Sequence, residues 1–156
     1  MSTFEDRLGT DLILLRNRRA QTDRDRGRDL VTAERPGSGG IDLSTVHGVE
    51  NISQALLIRF LTNEGELAEL GHPTYGSRLY LLIGEPNTEA NRNLAKLYAL
   101  RTVQSEPRVE RVLSAEVRQG RADPARVDID LRLKILGEDS PLNLVVPFFF
   151  NTGVAP

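Results

Sequence analysis

The chain has 156 residues, a formal net charge of −2 with 27% charged residues, and no cysteine. That length suits a single folded core burying about 68% of the unfolded surface. The near-neutral balance excludes a global attraction to nucleic acid, and the lack of cysteine excludes disulfide frameworks, thiolate zinc sites and thiol nucleophiles. The longest apolar runs, 12–15 and 144–150, fall far short of the ~20 residues that span a bilayer. The N-terminus lacks a basic-then-apolar signal pattern. A soluble protein without a membrane span, not exported by a standard signal, is the expectation.

Residues 16–28 read RNRRAQTDRDRGR, six arginines against two aspartates with Ala20 as the sole apolar side chain. Such a stretch cannot bury enough surface to offset its ordering entropy, so mobility is expected there. The following RPGSGG, 35–40, has the composition of a linker. Residues 1–40 therefore read as an arginine-rich arm and linker, within which 11–15 adds a short strand or anchor. Residues 41–150 read as the folded domain and 151–156 as a tail.

Within the domain, Val49, Ile52, Leu56 and Phe60 recur at helical spacing, with Leu57 and Leu61 beside them and Gly65 as a stop. The stretch 65–87, GELAELGHPTYGSRLYLLIGEPN, carries too much punctuation for one element. Pro73 and Gly76 turn the chain, Ser77 caps a short helix over 79–83, and Gly84 and Pro86 end it. Asn87 is expected to cap a helix running to about Ser105, with Leu94, Leu97, Tyr98 and Leu100 or Val103 turned inward. Pro107 then forces Glu106 out of the helical region. In RVDIDLRLKI, 126–135, Val127, Ile129, Leu131, Leu133 and Ile135 alternate with polar residues, the pattern of a strand with one wet face. A weaker alternation at 109–118 precedes it, and LNLVVPFFF, 142–150, follows a turn at 137–141. The fold class is α+β, with helices followed by a three-stranded antiparallel sheet.

A catalytic or metal site is not legible. His47 and His72 form no ligand-like pair, and no phosphate loop, dinucleotide fingerprint or nucleophile elbow is present. Pairs such as Glu64 with Glu66, or Glu106 with Asp128, resemble a glycosidase dyad only in residue type. Solvated or ion-paired carboxylates account for them. The corner SEPR, 105–108, has two readings. One is a helix stop with a surface ion pair worth under about 1 kcal/mol. The other is a rigid corner at which Pro107 presents Glu106 and Arg108 to a partner. The last strand poses a similar choice: a central strand buried on both faces, or, because Pro147 lacks a donor, an edge that pairs with another chain.

Four ordered blocks resemble the baseplate-wedge family of contractile phage tails. That family, historically called lysozyme-like, also serves in the baseplates of type VI secretion and extracellular contractile injection systems. The blocks are VHGVENISQAL (46–56), the 65–87 stretch, SEPRVERV (105–112) and NLVVPFFF (143–150). The Glu106-Pro107-Arg108 tripeptide matches the family's hallmark. The resemblance covers about 41–150, and the arginine-rich arm has no counterpart. It implies a structural sheath initiator, without enzymatic activity or cofactor, assembled in the cytoplasm into a tail-like particle at six copies. Glu106, Pro107 and Arg108 would face the wedge core, and Leu144, Val145, Val146, Phe148, Phe149 and Phe150 the sheath subunits, near the inner tube. Nucleic acid is not an implied partner. The alternatives are a regulatory anti-adaptor-like binding protein, since a related fold serves that role, and a cell-wall hydrolase.

Overall fold

The computed structural model describes residues 8–15, 30–37, 39–120 and 123–151. The mobility expected of 16–28 and the tail from 152 onward fall outside the described residues. The chain divides into two compact units, Met1–Ala55 and Leu56–Pro156.

In the first unit, β1 (Thr10–Leu12) pairs antiparallel with β4 (Thr45–His47), and β2 (Thr32–Glu34) pairs with β3 (Ile41–Leu43). The glycine-rich stretch read as a linker instead closes the β2–β3 hairpin. The Arg35 amide donates to the Gly40 carbonyl at 2.7 Å, and Gly37 and Gly39 take positive φ of 82° and 64°. Turn and linker share a composition, and only the flanking strands distinguish them.

Helix α1 (Gly48–Leu61) begins in this unit and ends in the second. Its Asn51 and Gln54 are buried and bind the segment leading into and out of β1. Asn51 Nδ2 donates to the Leu8 carbonyl, and Gln54 Nε2 to the Leu12 carbonyl at 2.8 Å. Gln54 Oε1 accepts from the amides of Leu14 and Leu15 at 3.0 and 3.2 Å. A fully buried amide side chain is tolerated because each of its polar atoms is paired.

The second unit is α+β. Helix α2 (Glu89–Gln104) packs on a sheet of order β5-β6-β7: β5 (Val109–Gln119), β6 (Arg126–Ile135) and β7 (Leu142–Phe149). The sheet is antiparallel throughout, with Val127 opposite Phe148, Ile129 opposite Val146 and Leu131 opposite Leu144. The five apolar residues of β6 are buried as their alternation requires. They share the core with Leu56, Leu57, Phe60, Leu79, Leu82, Leu144, Val146, Phe148 and Phe150.

Two expectations about α2 are corrected. Its N-cap is Thr88, whose Oγ1 accepts from the Asn91 amide at 3.2 Å. Asn87 instead donates to the Pro124 carbonyl and accepts from Arg92. The buried face of α2 is Ala95, Ala99, Thr102 and Val103, while Leu94 and Leu97 are 39% and 58% exposed. Small side chains let the helix backbone approach the sheet closely, and that requirement outweighs the larger transfer energy of leucine. In α1, Leu61 likewise stays half exposed.

Candidate functional site

The first part of the 65–87 stretch, up to Gly76, is a closed loop stapled at its base. The Ser77 amide donates to the Thr62 carbonyl at 2.9 Å and the Glu64 amide to the Ser77 carbonyl at 3.0 Å. Gly76, at φ 113°, makes the closure possible: a Cβ there would lie 2.7 Å from backbone atoms of Asn63 and Glu64. Beyond it Ser77 Oγ accepts from the Leu79 amide, and a short 3-10 turn, Leu79–Leu82, anchors the loop through Leu79 and Leu82. Glu64 receives both Nε and Nη2 of Arg78, at 2.8 and 3.0 Å, and Nη2 of Arg101 at 3.2 Å. The Arg78 hydrogen bonds hold its carboxyl below the usual carboxylate range against partial desolvation, and the charges of Arg101 and Arg78 add to the effect.

The Glu106 corner follows α2 directly. Pro107 and Arg108 occupy the middle of a turn closed by the Val109 amide on the Glu106 carbonyl at 3.0 Å, and proline suits the first of those positions. Glu106 is turned inward, at 4% exposure. Its Oε1 accepts from Arg108 Nε at 2.6 Å, and its Oε2 lies 3.5 Å from Arg59 Nη2. Arg59, near the end of α1, also donates to Ser105 Oγ at 3.1 Å and lies 4.3 Å from the centre of the Tyr75 ring. Burial pushes the Glu106 carboxyl up, but the hydrogen bonds and charge of Arg108, with the charge of Arg59, outweigh it and leave it below the ordinary value. For Tyr75 burial dominates and raises the phenol. The corner is thus a charge cluster tying α1, the 65–87 loop and the exit of α2 together, with Arg108 28% exposed at its rim.

The sequence singles out Ser105 to Arg108 as a corner that presents Glu106 to a partner, whereas Glu106 is turned into the protein, and its neighbours Arg59 and Tyr75 are not among the residues it picks out. No sequence signal marks Arg59: its contact with Ser105 spans 46 residues. Among the proposed carboxylate pairs, Glu66 accepts from the Asn63 amide and Asp128 pairs with Arg126 at 2.8 Å. A general acid needs a raised pKa, and the arginines beside Glu64 and Glu106 lower theirs. Among the described residues no group of three or more His, Cys, Asp or Glu could hold a metal ion, and no helix is long and apolar enough to cross a membrane.

Strand β7 lies at the edge of its sheet. Leu144, Val146, Phe148 and Phe150 are buried in the unit's own core, whereas Val145 and Phe149 are 40% and 42% exposed. The Phe150 amide donates to the Ala125 carbonyl at 2.9 Å. By the alternation of an antiparallel ladder, the backbone groups of Phe148, Val146 and Leu144 therefore address β6. Those of Asn143, Val145, Pro147 and Phe149 point to the open side. Pro147 costs the sheet no bond, because its missing N–H is on the open side.

No family model matches the chain, and no curated protein matches it. Among solved structures, the fold is similar to that of a candidate tail lysozyme from Geobacter sulfurreducens. The TM-score is 0.55 at 24% identity, over 64% of this chain and 88% of that one. At this identity the likeness carries the fold.

Proposed function

We propose that this chain is a structural component of a contractile, tail-like particle. In this reading it is a baseplate protein that joins the wedge to the inner tube and starts the sheath by strand addition at β7, at six copies per particle. The observation that carries the reading is the open edge of β7, with Val145 and Phe149 exposed on the strand whose other side is fully committed to the core. The four sequence blocks and the fold shared with a tail protein support it. Burying the remaining exposed parts of Val145 and Phe149 contributes about 1 kcal/mol each, and each new backbone bond about as much again. Strand addition is therefore mainly a backbone interaction, which the side chains orient. The Glu106 corner stiffens the scaffold.

The test is the double variant V145S/F149T. The isolated chain should remain folded, and particles should carry baseplates without sheath. Full-length sheaths on the double variant would overturn strand addition. We assign the chain no hydrolytic role, because Glu64 and Glu106, from the two carboxylate pairs considered, are stabilised as anions by arginine. Clearing of purified peptidoglycan by the chain would overturn that assignment.

A further inference from the structure

We propose that Pro147 makes the open edge of β7 selective for a strand from a different protein and against a second copy of this chain. The inference rests on strand addition at β7, but its test is independent of any particle. Asn143, Val145 and Phe149 each offer an N–H and a C=O to the open side, whereas Pro147 offers only its C=O. An incoming strand without proline therefore leaves one of its own carbonyls without a donor. Two copies of β7 paired about a two-fold axis each bring Pro147 into the ladder. Two carbonyls then lack donors in every symmetric register that includes it, and an N–H at position 147 restores both bonds. An unpaired buried acceptor is penalised far more than a made bond is rewarded, so the defect weighs twice on self-pairing and once on a different partner. The other edge is guarded separately: β5 departs from regular register between Val109 and Arg111 and between Val112 and Ser114. Such irregularities obstruct the head-to-tail stacking of β7 on β5.

The rows of the sheet also state the partner's chemistry. Asn143 lies opposite Arg132, Val145 opposite Asp130 and Phe149 opposite Arg126. Arg126 is paired with Asp128 and lies 5.8 Å from the Phe149 ring centre, and Arg118 lies 3.5 Å from Asp130. Arg132 is exposed and has no ion pair among the described residues. The fitting strand has an acidic residue opposite Asn143, reaching Arg132, and apolar residues opposite Val145 and Phe149.

Sedimentation velocity on the full chain and on Pro147→Val tests the selectivity. Wild type should stay monomeric, and the variant should self-associate at least about tenfold more strongly, since two hydrogen bonds are recovered in each dimer. Adding Val145→Pro to that variant removes another outward donor and should restore the monomer. Pro147→Ala, which supplies the same N–H, serves if circular dichroism shows Pro147→Val unfolded. Folded, monomeric Pro147 variants overturn the proposal even if V145S/F149T abolishes sheaths, and so does a dimer that persists with Val145→Pro. The partner chemistry is read with the peptide Ile-Thr-Thr-Thr-Ile-Thr-Glu, written antiparallel to β7. Amide shifts at 143–149 that weaken several-fold in Arg132→Ala support it; equal binding, or none at millimolar peptide, overturns it.

Discussion

Replacing Glu106 with alanine removes a carboxylate that faces both Arg59 and Arg108. The two guanidinium groups, 14% and 28% exposed, would then lose a shared counter-charge. Breaking a buried ion pair by deleting one partner costs about 3–5 kcal/mol. Partial solvent access to Arg108 places the expected loss at or just below the bottom of that range, about 2–3 kcal/mol. With urea slopes of about 1–3 kcal/mol/M for small proteins, the midpoint should fall by roughly 0.7–3 M. The chain has no tryptophan, so the transition is best followed by circular dichroism. Glu106→Gln keeps an acceptor for Arg108 and should lose less. The native Glu106 carboxyl titrates below its ordinary value. Its contribution is thus complete above about pH 4.3, the unfolded value, and is lost as the pH falls through the lower native value. The gap between wild type and Glu106→Gln should therefore narrow below that pH. An Ala variant that unfolds at the wild-type urea concentration would refute the internal role of Glu106 and return it to the surface-pair reading.

Gly76→Ala forces a Cβ to within 2.7 Å of the Asn63 and Glu64 backbone and should destabilise the chain by about 2 kcal/mol or more; an unchanged melting temperature would refute the stapled-loop account. Gln54→Leu strands the Leu12 carbonyl and the Leu14 and Leu15 amides, so hydrogen exchange at those amides should accelerate while the β6 core stays protected; uniform exchange would count against the clamp. V145S/F149T should cost the isolated chain less than about 1 kcal/mol, whereas Val146→Ser or Phe148→Ser should cost more than about 2 kcal/mol, as expected for exposed and buried positions respectively. Equal effects would contradict the division of β7 into a core side and an open side.

The sheet was legible because period-two alternation is a direct image of one buried face, and β6 carries it without a break. The helix spans were legible from spacing and punctuation, but the inward face of α2 was not. Hydrophobicity ranks leucine above alanine, and only the distance to the sheet reverses that order at Ala95 and Ala99. The Glu106 corner was visible as a rigid turn because proline acts locally. Its inward orientation depends on Arg59 and Tyr75, which the chain brings in from distant positions. The β2–β3 hairpin was obscured because strands of three residues are too short to show a period.

The two informative prolines of the second unit act through opposite consequences of one chemical fact. At Pro107 the fixed φ matters, since it sets the corner from which Glu106 reaches back into the protein. At Pro147 the missing donor matters, and it is harmless inside the sheet because it falls on an outward position. Had the proline stood one residue earlier or later, it would have interrupted the ladder with β6 and left the open edge fully competent for self-pairing. Its placement therefore separates two properties that edge strands usually couple, stability within the sheet and reactivity beyond it. The same alternation sorts the side chains. Leu144, Val146 and Phe148 hold the fold, while Asn143, Val145 and Phe149 can change with little effect on it. A surface arranged in this way can be tuned to a partner strand without retuning the domain that carries it.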